Sequence, residues 1–140
     1  MAFTGNYSCN TLRSGLANGT INFATDTFRL ALYTNAATLN ETTTEYTPLG
    51  ETTGGSYAPN GQVVTATVSS ATTADGSVVY VNFSSPSWVG TITARGALIY
   101  KPGSNGAVCV LDFGSDKTST VSFTVQMPAN TSTSALIRIV

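Results

Sequence analysis

The apolar residues of this chain recur at every second position in short runs, and each run ends at glycine, proline or a cluster of small polar residues. Period two is the repeat of a β-strand, whose successive side chains point to opposite faces, so the pattern restricts the chain to sheets. Thr27–Thr34 (TFRLALYT) sets Phe28, Leu30 and Leu32 against Arg29, Ala31 and Tyr33. Further strands are expected over Val63–Ser69, Ser77–Phe83, Trp88–Thr93 and Ala94–Lys101, the last two being separate or one strand bent at Gly96. Ala107–Asp112, Thr120–Gln126 and Ala135–Val140 follow. Tight turns are expected at Asp75-Gly76 and across Asp112–Asp116, the latter holding a buried aromatic, Phe113. Ser84-Ser85-Pro86-Ser87 breaks the chain, and 102–106 forms a loop. About eight short strands with turns between them, and no long helix, predict an all-β fold: a two-sheet β-sandwich. Its wiring, Greek-key or jelly-roll, is left open by the pattern.

One short N-terminal helix is expected over residues 8–18, where Cys9, Leu12 and Leu16 share a face. Ser8 is its expected cap and Asn18-Gly19 its stop. The 140 residues suit a single domain, 1–140. Asn35–Gly55 is rich in Thr and Glu and contains few core-forming residues. It reads as a long loop with a short edge strand near Tyr46, and loops of this length are commonly functional or covered by a partner.

Only 9% of the residues are charged, six basic against seven acidic, so nothing steers the protein toward nucleic acid or an anionic membrane. A surface so poor in charge is weakly protected against self-association, which suits a protein that ends up covered by partners. The start lacks the features of a signal peptide, no run is long enough to cross a membrane, and synthesis in a cytosol is expected.

Catalysis needs a poised acid, base, nucleophile or metal. The chain has no histidine, and its carboxylates are Asp26, Glu41, Glu45, Glu51, Asp75, Asp112 and Asp116. Asp112 and Asp116 read as turn caps, and no motif for a phosphate, a metal or another cofactor is present. No enzyme activity and no cofactor are expected. Cys9 and Cys109 are expected as reduced thiols; whether they can pair turns on geometry that their spacing does not give.

The candidate interface residues are Phe3 and Tyr7 in the N-terminal segment, Thr43, Glu45 and Tyr46 in the long loop, and Trp88, which reads either as an anchor or as a core aromatic. Arg95, Tyr100, Cys109 and Phe113 are candidate structural residues. Arg95, alone in an apolar strand, needs a carboxylate on this chain or on a neighbour.

Several stretches carry a resemblance: TDTFRLALYTN (25–35), VNFSSPSW (81–88), TARGALIYKP (93–102), AVCVLDFGSDK (107–117) and the ending FTVQMPANTSTSALIRIV. Together they cover most of the chain in order and resemble the capsid decoration, or cement, proteins of short-tailed bacteriophages. The chain departs at Ala58-Pro59-Asn60-Gly61-Gln62, where a Gly-Gly pair is more usual. The resemblance implies a β-sandwich, often a jelly-roll, on the outer surface of an icosahedral virion. The implied function is to stabilise the capsid by bridging subunits of the major capsid protein. The expected partners are that protein and further copies of this chain, as a dimer or trimer. A tail, fibre or neck component, and a carbohydrate-binding sandwich, are the alternatives.

Overall fold

The computed structural model describes residues 3–74 and 76–139. Met1, Ala2, Asp75 and Val140 lie outside that range, so the expected Asp75-Gly76 turn and the last residue of the final strand fall partly outside it. Among the described residues the chain is all-β with one short helix. The elements in order are β1 (Tyr7–Ser8), α1 (Asn10–Asn18), β2 (Phe28–Tyr33), β3 (Gln62–Val64), β4 (Ala66–Thr73) and β5 (Gly76–Phe83). They continue as β6 (Ser87–Val89), β7 (Thr93–Tyr100), β8 (Ala107–Thr118), β9 (Ser122–Thr124) and β10 (Ile137–Ile139).

A five-stranded antiparallel sheet, in the order β1-β8-β7-β2-β3, forms the middle of the sandwich. The opposing layer is divided into a three-stranded sheet, β10-β5-β4, and a two-stranded sheet, β6-β9. The sequence pattern predicted two sheets. The division falls at Ser84–Pro86, where a proline cannot donate to a ladder and β5 ends before β6 begins. The expected strand over Val63–Ser69 is likewise two strands. Its chain passes from one sheet to the other at Thr65, whose N–H donates to Ser84 Oγ (2.8 Å) and whose carbonyl accepts from Ser84 N–H (3.0 Å).

Alternation on β2 and β7 loads both faces of the central sheet. Phe28, Leu30, Leu32, Ala97 and Ile99 face the opposing layer, where they meet Val64, Val81, Phe83, Trp88 and Phe123. Phe23, Phe28 and Phe83 form a ring cluster with centroids 5.3–6.0 Å apart. On the reverse face Ala31, Tyr33, Leu98, Tyr100 and Val110 meet Phe3, Cys9, Ala37 and Leu39. The cover of that second face is therefore the N-terminal segment and the long loop.

This corrects the reading of Asn35–Gly55 as a stretch with little to anchor it. Ala37, Leu39 and Thr52 are buried, and the segment is tied down along its length. Asn10 N–H donates to Glu41 O (2.8 Å), Ala107 N–H to Thr44 O (3.0 Å) and Thr52 N–H to Leu32 O (3.0 Å). Tyr33 Oη donates to Thr47 O (2.7 Å). Beyond an isolated bridge from Glu51 to Tyr33, the loop has no strand, and none forms near Tyr46.

The helix runs Asn10–Asn18 and stops at Gly19, whose φ of +82° is the left-handed stop expected there. Its N-cap is Cys9, without a side-chain cap; Ser8 is taken up by β1, where it pairs with Cys109. The predicted turn at Asp112–Asp116 does not end a strand. β7 pairs with β8 at Gly96↔Asp112 and again at Ala94↔Lys117, so residues 113–116 bulge opposite Arg95 and the ladder resumes. Thr120–Gln126 contracts to β9, because Val125 N–H donates to Pro86 O (3.0 Å) outside the ladder.

Candidate functional site

Most of the ionisable side chains are held in structural contacts. Arg95 Nε donates to Asp112 Oδ1 at 3.0 Å, and Gly114 N–H donates to the same oxygen at 2.8 Å. These contacts, the Arg95 bond foremost, hold the Asp112 carboxyl below its ordinary value. Asp26 accepts from Asn22 N–H (2.8 Å) and pairs with Lys101 Nζ (3.1 Å), which lowers its pKa as well. No group of three or more His, Cys, Asp or Glu side chains capable of holding a metal occurs among the described residues.

Glu51 is the centre of a cluster that no sequence spacing marks. Its Oε1 accepts from Tyr46 Oη (2.5 Å), and its Oε2 accepts from Tyr57 Oη (2.5 Å) and Asn60 N–H (3.0 Å). Tyr57 Oη in turn accepts Leu32 N–H (2.9 Å). Burial and the adjacent carboxylate raise the Tyr46 phenol to about 12 and push that of Tyr57 higher still. These hydroxyls stay protonated as donors that pin the loop to the central sheet. A recess of about 460 Å³ opens beside the cluster, lined by Arg29, Tyr46, Asn60, Tyr100, Pro102 and Gly103. Arg29 is already engaged, donating to Asn60 O (3.2 Å) and Gly61 O (2.9 Å).

Phe3, expected at an interface, lies instead in the core at 1% exposure, and Trp88, read as either an anchor or a core aromatic, is in the core at 2%. Phe3 packs on the reverse face of the central sheet over Gly96. Trp88 pairs across β6–β9 with Phe123 and lies 5.3 Å from the Tyr57 ring. Neither presents a ring to a partner or to a sugar. Tyr7 is half-buried in β1, its hydroxyl 2.6 Å from Thr4 Oγ1. Thr43 is half-buried, its Oγ1 accepting Asn40 N–H (3.0 Å), and Glu45 is exposed. Tyr46 stacks on Tyr100 at 5.1 Å.

Of the structural candidates, Tyr100 is buried and donates to Asn60 O (2.7 Å), and Phe113 is half-buried 6.2 Å from Phe123. Cys109 and Cys9 are free, buried thiols in different clusters, on opposite faces of the central sheet. Burial raises the pKa of both, that of Cys9 to about 11, so neither is a reactive thiolate.

One uncommitted apolar surface lies around the three-stranded sheet. Its core-facing side extends past the central sheet. Val68 on β4, Val79 on β5 and Ile139 on β10 share that side and are 48%, 42% and 48% exposed. Their strands run in register, with Val79 paired to Ser70 and to Ile139. β4 is an outer strand bonded to β5 alone, and none of its eight residues is charged. Such an edge lacks the lysine or proline that usually blocks strand addition. Near β10 an open groove of about 460 Å³ runs between α1, the β1–β8 edge and β10, with Leu16, Leu111 and Ile139 among its lining residues. No helix among the described residues is long and apolar enough to cross a membrane. No family model, curated protein or solved structure matches this chain.

Proposed function

We propose that this chain is a non-catalytic structural protein of a tailed-phage particle, one that decorates the outside of the capsid and braces it by bridging neighbouring subunits of the major capsid protein. The observation that carries this reading is the apolar strip of Val68, Val79 and Ile139 beside the uncharged outer strand β4. Burying such a surface against a protein removes apolar area from water and strips no charge of its hydration. The open strand edge adds backbone hydrogen bonds that need no particular side chain. The commitment of Asp26, Glu51, Asp112, Arg29 and Arg95 to internal contacts supports a structural rather than a chemical role. The sequence resemblance supplies the setting. Individually weak contacts, repeated over a shell, add up to a large barrier to its opening.

The test uses particles assembled without the protein. They should form normal shells but release DNA at lower temperature, and added wild-type protein should restore the loss. Val68→Lys and Val79→Lys, both at exposed positions, should fold yet fail to restore it. Wild-type protein that binds without changing heat resistance would remove the bracing role. A copy number far below that of the shell protein on a stained gel would place the chain in a tail or neck instead.

A further inference from the structure

The sandwich is closed on one side and open on the other. At the closed side β3 continues into β4 across Thr65, so one chain belongs to both sheets. At the open side the central sheet ends in β1 and the three-stranded sheet ends in β10. Both border strands are short: β1 covers β8 only at Cys109 and Val110, and β10 covers β5 only at Val79–Val81. The 460 Å³ groove occupies this gap. Its lining is mainly apolar, with Leu12, Leu16, Leu111, Ile137 and Ile139, and it also carries Arg13 and Arg138. No carboxylate side chain among the described residues lines it. Among the described residues Arg13 donates to neutral oxygens, Ser8 O at 3.0 Å and Asn10 Oδ1 at 2.9 Å. Arg138 is exposed, and its side chain has no hydrogen bond or ion pair among the described residues.

We propose that this groove accepts an extended segment of a partner protein, one that alternates apolar side chains with carboxylates. The segment adds a strand along β10, sets its apolar side chains against Leu16, Leu111 and Ile139, and presents carboxylates to Arg138 and Arg13. Charge complementarity selects this occupant. Two guanidinium groups border a groove lined by no acidic side chain among the described residues, and a guanidinium matches a carboxylate in a forked, two-bond geometry. An extended backbone is selected because both borders of the gap are strand edges, and a row of outward N–H and C=O groups is satisfied by another strand. Side chains of alternating kind then fall alternately on the apolar floor and toward the arginines. The inference rests on the docking function above only for the protein that supplies the segment; the groove chemistry stands on its own.

The test is an amide chemical-shift titration of the isolated protein with two end-blocked peptides of about eight residues, one alternating Val and Glu, the other Val and Lys. The Glu peptide should shift the amides of Tyr7, Ser8 and Ile137–Ile139 with a dissociation constant of about 1 mM or tighter, and the Lys peptide should not. Arg138→Glu should reverse the preference, and Arg138→Gln should weaken Glu-peptide binding severalfold without reversal. Unchanged dispersion of the remaining amide signals checks that both variants fold. No shifts, equal shifts with both peptides, or shifts confined to β4 overturn the proposal. So do the same shifts produced by raising protein concentration without peptide, which would make a second copy the occupant. Peptide binding with no binding to shells would instead defeat the capsid reading and leave the groove intact.

Discussion

Arg95 and Glu51 show how differently two single charged residues announce themselves. An arginine alone in an apolar strand must find an anion within reach, so the need for a carboxylate, on this chain or on a neighbour, was legible in the sequence, and Asp112 of this chain supplies it at 3.0 Å. Glu51 lies in a Thr- and Gly-rich stretch without period. Its partners Tyr46, Tyr57 and Asn60 are near in sequence, but they converge only because the loop folds back on β2. The burial of Trp88 was one of two open readings, and the structure decides for the core. Asp112 gives a pH signature. Its carboxyl is held below its ordinary value in the folded protein, so the stabilisation is complete above the unfolded value near 3.8 and is lost as pH falls through the lower, folded value. The stability gap between wild type and Asp112→Asn, measured by urea unfolding, should therefore be constant from neutral pH to about 5 and close as the pH drops toward 2. A gap that persists unchanged in strong acid would show that the ion pair does not govern it.

Among the elements, strands with strict alternation were placed well, and the misplacements share one cause. β8 is longer than its residues suggest because Asp, Gly and Ser read as a turn locally, whereas the pairing of Lys117 and Thr118 with Ala94 and Thr93 resumes beyond the bulge. The loop 35–55 was misjudged in the same way. Its apolar residues are few and unevenly spaced, but Ala37, Leu39 and Tyr46 meet the reverse face of the central sheet while Leu49 stays exposed, and no single-sequence pattern reveals a second face to be covered. Gly61 belongs to this group as well: at φ +73° its missing Cβ leaves room for the Leu30 carbonyl, a requirement hidden in a Pro-Asn-Gly turn. Leu39 is the sharpest probe of the loop, being 1% exposed. Leu39→Ala should lower unfolding free energy by about 2–5 kcal/mol, read from the urea midpoint at unchanged slope. A loss under about 0.5 kcal/mol, the size of an ordinary surface substitution, would mean that the loop does not contribute to the folded core.

For the molecule as a whole, the two apolar clusters share the strands β2, β7 and β8, each strand giving residues to both sides. Loss of one cluster exposes the back of the other, so unfolding should be a single cooperative step. The one tryptophan, Trp88, reports on the cluster facing the opposing layer. Its fluorescence and the far-ultraviolet circular dichroism should trace the same urea transition, and separated midpoints would show that the loop-covered face melts independently. The passage of one backbone from β3 to β4 has a mechanical consequence. A load applied to β4 reaches the central sheet through covalent bonds at Thr65, rather than through side-chain packing that can slide. Ladder hydrogen bonds from β3 to β2 and from β4 to β5 then share that load in shear. A protein gripped by that strand would act as a stiff strap, with its flexible give confined to the opposite, open side.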